Sequence, residues 1–206
     1  MAVAEGEGMY SELLWVFTQL PDDYIVLDTE TTGLPDESGL PDIVTLGITV
    51  VRNRTRAESV EFKTRPQKRI SEEAQSIHGI TNEQAAEFES FDFQWCQIAE
   101  YLKDQLVVIH NASFDWPILL DHVARYDVTM PPIIGVFCSQ KAAIAWAQAT
   151  GLPCSHRGPS LDTLTKALGV EDLRSKRHGV HGARIDSELT HRVTEVIKQY
   201  GLDSND

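Results

Sequence analysis

The stretch YIVLDTET, Tyr24 to Thr31, opens on four apolar residues and closes on two acids with a threonine between them. A short apolar run of this kind reads as a buried strand, and it is assigned over Tyr24–Asp28. Residues two apart on a strand share a face. Asp28 and Glu30 therefore project together if the strand continues through Glu30. Two carboxylates so close repel, and one of them resists ionising. A divalent cation removes that conflict, and hard cations such as magnesium prefer carboxylate oxygen. Taken alone, the pair is equally consistent with an acidic turn after a strand.

The flanks extend the pattern. Val44–Val51 (VTLGITVV) and Ser59–Thr64 read as strands that follow at short intervals, which favours antiparallel neighbours. Helical stretches are expected near Ser71–Gln75 and over Phe91–Lys103. The buried strand Leu106–His110 comes next, then a helix from Ser113 to Arg125 and a strand over Ile133–Phe137. Helices are expected at Ser139–Ala149, Ser160–Leu168 and Ala183–Tyr200. Strands first and alternation afterwards predict an α/β fold, a mixed sheet with helices on its faces. Acids at strand ends place the site at the carboxyl edge of that sheet.

Two further acids fit such a site. Asp115, in HNASFD (His110–Asp115), follows the buried run directly and falls in the first turn of a helix. An acid there is also favoured by the helix dipole alone, by about 0.3–1 kcal/mol. Asp186, in HGARIDSELTHRV (His181–Val193), lies on the helical face of Leu189, Val193 and Val196. A carboxylate on a core-facing stripe is costly unless it is paired or binds metal, so Asp186 is the most informative departure from pattern. His181 precedes that helix beside Gly182, where a loop can carry it over the site.

Composition bounds the rest. The 206 residues fit one domain, read as an N-terminal extension over residues 1–21, with a short helix at Ser11–Leu20, and a single domain over 22–206. The net charge of -13 excludes a broad nonspecific hold on a polyanion. Contact with nucleic acid then has to be local, through metal ions or through small basic rims at Arg52–Arg56, Lys63–Arg69 or Arg174–His178, each of which also reads as a solvated loop. Apolar runs are too short to cross a bilayer, and the first twenty residues carry no Lys or Arg. Cys96, Cys138 and Cys154 show no paired spacing. These features predict a cytoplasmic protein with free thiols and no membrane partner.

The motifs in order resemble those of the DnaQ-like family of 3'→5' exonucleases, the DEDDh branch of the ribonuclease H-like fold. LDTETTGL is similar to the family's first motif, HNASFD to its second and HGARIDSEL to its third, and SIHGIT (Ser76–Thr81) and SLDTLTKALGV (Ser160–Val170) match in style. The resemblance covers about Asp23 to Tyr200 and implies a mixed five-stranded ribonuclease H-like sheet. It implies that Asp28, Glu30, Asp115 and Asp186 hold two Mg2+ or Mn2+ ions, with Asp28 bridging, and that His181 is the general base. It further implies that Thr31, Gly33, Leu34, His78 and Phe114 meet the terminal nucleotide. The substrates implied are single-stranded or frayed 3' ends of DNA or RNA, cut to nucleoside 5'-monophosphates. The chain departs from many relatives at Phe137–Cys138–Ser139, where they carry Asp-Thr, and it ends soon after Tyr200, without the long tail that docks a proofreading subunit on its polymerase. A stand-alone exonuclease is the expectation. A proofreading subunit associated with a polymerase and a non-catalytic nucleic-acid-binding module of the same fold remain alternatives, and homodimerisation, known among relatives, stays open.

Overall fold

The computed structural model describes residues 17–37, 39–174 and 181–203, so most of the predicted Ser11–Leu20 helix lies outside the described residues. Five strands form one sheet: β1 (Tyr24–Thr31), β2 (Ile43–Arg52), β3 (Thr55–Lys63), β4 (Leu106–Ile109) and β5 (Gly135–Cys138), in the order β3-β2-β1-β4-β5. β2 pairs antiparallel with both β1 and β3. β4 runs parallel to β1, and β5 parallel to β4. This is the mixed five-stranded α/β sheet that the order of elements predicts. The described helices are α1 (Glu72–His78), α2 (Asn82–Ala86), α3 (Phe91–Leu102), α4 (Ala112–Arg125), α5 (Ser139–Thr150), α6 (Leu161–Ala167) and α7 (Ala183–Asp203).

β1 is central, and its alternation sorts the molecule into two layers. Ile25 and Leu27 pack with Phe91, Trp95, Ile98 and Leu102 of α3 and with Ile118 and Leu119 of α4. Tyr24 and Val26 face the other way, into a core with Trp146 of α5, Leu164 of α6, and Val193 and Ile197 of α7, where Phe17 and Leu20 also bury. A strand buried on both faces needs an unbroken apolar run, which is what Tyr24–Leu27 supplies. Parity along the strand then places Asp28 and Glu30 on the α7 face, and Thr29 on the α4 face.

Several boundaries differ from the sequence reading, each for a local reason. β1 runs on to Thr31, with a register shift between Glu30 and Thr31, so the two acids lie within the strand. β3 begins at Thr55, four residues before the expected Ser59. Asn53 and Arg54 make the hairpin turn in the left-handed region, with φ of 48° and 63°, a geometry usually signalled by Asn-Gly. Arg54 hides that signal. α2 was not expected; Thr81 and Gln84 form a capping box that starts it. On α7, Val196 is 40 % exposed and Ile197 is buried in its place. Eleven residues from Asp186 to Ile197 come close to three full turns, whereas ten fall short.

Candidate active site

The acids come together from three elements. Asp28 and Glu30 stand on β1, and Glu30 is 8 % exposed. Asp115 is 4 % exposed in the first turn of α4, where its Oδ1 accepts from the backbone N–H of Thr29 at 3.1 Å and from Thr29 Oγ1 at 2.7 Å. Thr29, on the opposite face from its acidic neighbours, thus ties α4 to the same stretch of β1. Asp186, 5 % exposed in the first turn of α7, completes the set. His181 sits just before α7: its backbone N–H donates to the Ile77 carbonyl at 3.0 Å, and its Nδ1 lies 2.8 Å from Asp186 Oδ2.

Glu30, His181 and Asp186 each offer a ligand atom, and these atoms lie within 4.8 Å of one another. Asp28 and Asp115 fall outside that trio. A different observation favours a cation here: Asp186 Oδ1 is buried with no hydrogen-bond partner. A buried carboxylate oxygen left without a donor is unfavourable unless a positive charge meets it. The nearest described cation is Arg174, whose Nε lies 3.8 Å from that oxygen.

The electrostatics say the same. Burial raises Asp28 well above the usual carboxylate range, and the charges of Asp115, Asp186 and Glu30 raise it further, against Arg174. Burial and then Asp186 push Glu30 up to about 8, opposed by His181. Burial lifts Asp115 to about 6, against the two Thr29 hydrogen bonds. The bond to Asp186 pushes His181 up, while burial opposes it. Without cations the site holds more protons than the unfolded chain does, so its stabilising contribution is lost as pH rises through the folded-state values. Burial shifts His78, His110, His122 and His191 down, His110 as a half-buried residue, and they oppose this only below their unfolded value. Between roughly pH 6.5 and 8.5 the metal-free protein is therefore expected to lose thermal stability, by about 1.4 kcal/mol per pH step for each extra proton the folded site holds. Glu30→Gln should flatten that loss, and Mg2+ or Mn2+ should offset it most at the alkaline end, because binding displaces protons. Thermal melts in chelator and in metal check this; a flat profile in chelator would contradict it.

A cavity of about 770 Å3 opens beside the acids. Thr31, Thr32, Gly33 and Leu34 line one wall and Lys68, Arg69, Ser71, Ile77 and His78 another, with Phe114 and Glu30 also on the lining. All five residues expected to meet a nucleotide are thus on its lining. Leu34 is 78 % exposed, so it is no core anchor. A Cβ on Gly33 would meet Ser71 Oγ at 3.5 Å, an ordinary contact, so the protein's own packing leaves the space beside it open. His78 is 2 % exposed at the end of α1, and its Nδ1 accepts from the Ile80 N–H at 3.1 Å. Trp116 packs partly buried against the α3–α4 core, as expected of a core side chain.

Sequence reading missed two residues that shape the site. Gly47 pairs with Asp28 across the β1–β2 ladder. A Cβ there would lie 2.2 Å from the carbonyl carbon and oxygen of Ala183 and 2.3 Å from Arg184 N. Gly47 thus lets the first turn of α7, and Asp186 with it, approach the sheet. A lone glycine inside a strand is the signal for such an approach. Arg174, expected in a solvated loop, is 3 % exposed and turned inward. Its guanidinium pairs with Asp162 at 2.6 Å and Asp172 at 3.0 Å and lies 3.4 Å from both ring nitrogens of His181. Nothing in the local pattern of that segment distinguished it from its basic neighbours.

Buried acids from β1, α4 and α7 thus converge beside a cavity at one edge of an α/β sheet. The exonuclease family model named for RNase T matches residues 25–194, and the chain belongs to that family. It is 25 % identical to the PolC-type DNA polymerase III of Thermotoga maritima over 201 residues, 94 % of this chain and 14 % of that protein. It is 27 % identical to the DNA polymerase III subunit epsilon of Pasteurella multocida, over 82 % of this chain and 65 % of the relative. It therefore spans less than two thirds of the length of these relatives. Exonuclease X, solved in complex with 5' overhanging duplex DNA, superposes with a TM-score of 0.61 at 23 % identity, over 86 % of this chain and 93 % of that one. Among the described residues, no helix is long and apolar enough to cross a membrane.

Proposed function

We propose that this exonuclease domain removes nucleotides from the 3' ends of DNA or RNA, releasing nucleoside 5'-monophosphates, with divalent cations, Mg2+ or Mn2+, held by Asp28, Glu30, Asp115 and Asp186. The observation that carries the reading is Asp186 Oδ1, buried without a hydrogen bond beside Asp28 and Glu30, whose carboxyls the neighbouring acids help to raise, at the edge of the cavity. Cations bound there would offset the phosphate charge and stabilise the attacking and leaving oxygens. The wall at Thr31–Leu34 receives the terminal nucleotide, with the exposed Leu34 side chain against its base. The cavity volume suits a ligand of one-nucleotide size. Asp186 holds the His181 imidazole through Nδ1, which directs Nε2 to take a proton from the attacking water once Arg174 Nη1, 3.4 Å from that nitrogen, gives way.

The test is a degradation ladder on 5'-labelled DNA and RNA, single- and double-stranded, with and without metal. Metal-dependent shortening by single nucleotides is expected; intact 3' ends on every substrate would sink the reading. In the same assay His181→Ala should slow turnover by about 10²–10⁴-fold while keeping the thermal shift on adding Mn2+. An unchanged rate would place the base elsewhere. The relatives named as DNA polymerase III components favour a second reading, a proofreading unit that works beside a polymerase. Co-purification with a polymerase separates it from a stand-alone enzyme.

A further inference from the structure

Asp42 is a carboxylate buried to 1 % exposure that the catalytic scheme does not use. It lies immediately before β2. Its Oδ2 accepts from the backbone N–H groups of Gln67 at 2.7 Å and Lys68 at 2.8 Å. Its Oδ1 accepts from Arg125 Nη2 at 2.7 Å, at the far end of α4. Its own backbone is engaged as well: its N–H donates to Thr32 Oγ1 at 3.0 Å, and its carbonyl accepts from Thr32 N–H at 2.8 Å. Thr32 in turn accepts, through its carbonyl, from Ser71 N–H at 2.9 Å.

These partners are the two walls of the cavity. Thr32, Gly33 and Leu34 form one, and Lys68, Arg69 and Ser71 begin the other. Neither wall is regular secondary structure at these points, so neither is fixed by a ladder. One side chain and one backbone unit of Asp42 join both walls and brace them against α4. Burial disfavours its charge, but the bonds from Lys68, Arg125 and Gln67 outweigh that and hold its pKa below the usual carboxylate value. It is therefore ionised near neutral pH, the form in which its hydrogen bonds are strongest.

We infer that Asp42 is a positioning residue that clasps the two walls of the terminal-nucleotide cavity and so governs substrate affinity rather than the chemical step; the inference rests on the exonuclease reading. It touches no reacting atom and lies outside the cavity lining. Loss of the clasp lets the Lys68–Ser71 strip move away from Thr31–Leu34, which weakens binding of the nucleotide between them. The acids are anchored separately, by β1, α4 and α7, and stay in place.

The experiment compares wild type, Asp42→Asn and Asp42→Ala in steady-state kinetics and in amide hydrogen exchange. Asp42→Ala is expected to raise KM more than tenfold with kcat within threefold. Asp42→Asn keeps one acceptor oxygen for the Gln67 and Lys68 amides and should give a smaller rise, about three- to tenfold. The exchange readout is taken at Thr32 and Ser71, whose hydrogen bonds the substitutions leave chemically intact, and both amides should exchange at least tenfold faster. A fall in kcat at unchanged KM, or a lower melting temperature with KM and exchange unchanged, overturns the inference. Should Asp42→Ala not fold, Asp42→Asn decides, and unchanged KM and exchange in it overturn the clasp. Exchange needs no turnover, so a wild type with no nuclease activity would sink the exonuclease reading while the exchange result still decides whether Asp42 holds the walls.

Discussion

Asp186→Ala is expected to abolish turnover and, with it, the stabilisation of the protein by Mn2+. Asp186 meets two demands at once. Its Oδ1 is buried without a hydrogen bond, 3.8 Å from Arg174 Nε, and its Oδ2 lies 2.8 Å from His181 Nδ1. Under the proposed mechanism, removing it takes away a cation ligand and frees the base in one step. Losing several kcal/mol of transition-state stabilisation corresponds to a rate loss of at least about 10³-fold. The fold should survive, because the change relieves like-charge repulsion on Asp28 and Glu30, and Arg174 keeps Asp162 and Asp172 as partners. Asp28→Ala should match it in turnover, being raised by all three other acids. Single-turnover rates and melts with and without Mn2+ decide the matter. Activity within tenfold of wild type in either variant would refute the metal assignment.

Much of this arrangement was legible in the sequence, for reasons that can be stated residue by residue. Periodicity exposed Asp186, because an acid in register with Leu189 and Val193 breaks a helical stripe, and the structure buries all three. The alternation of β1 showed that Asp28 and Glu30 share a face, and that face is the one α7 covers. What stayed hidden depends on distant segments meeting. Arg174 looked like one base among several, and only its burial between Asp162, Asp172 and Asp186 sets it apart. Asp42 was not singled out, because its partners at Gln67, Lys68 and Arg125 lie far along the chain. Whether Leu34 anchors its loop in the core is likewise decided by tertiary packing, and at 78 % exposure over the cavity it does not.

Gly47→Ala should slow turnover by about 10²-fold, although it adds only a single methyl. The new Cβ would stand 2.2 Å from the Ala183 carbonyl carbon and oxygen and 2.3 Å from Arg184 N. These are backbone atoms, so no rotamer change relieves the clash, and trimming Ala183 to glycine would not rescue it. Either β2 or the first turn of α7 has to move by roughly an ångström. Overpacking of this kind costs about 1–3 kcal/mol of stability. The larger consequence is catalytic, because that turn carries Asp186 and follows directly on His181, while β2 is the ladder partner of Asp28. Misplacing such groups by about 1 Å costs on the order of 10²-fold in rate. Gly135→Ala is the control: it also lies in a strand, but its Cβ would meet only Leu106 Cδ1, at 3.8 Å, and near wild-type activity is expected. If Gly47→Ala retains full turnover and an unshifted melting temperature, the close approach of α7 to β2 is not what sets the distance between Asp186 and the acids of β1.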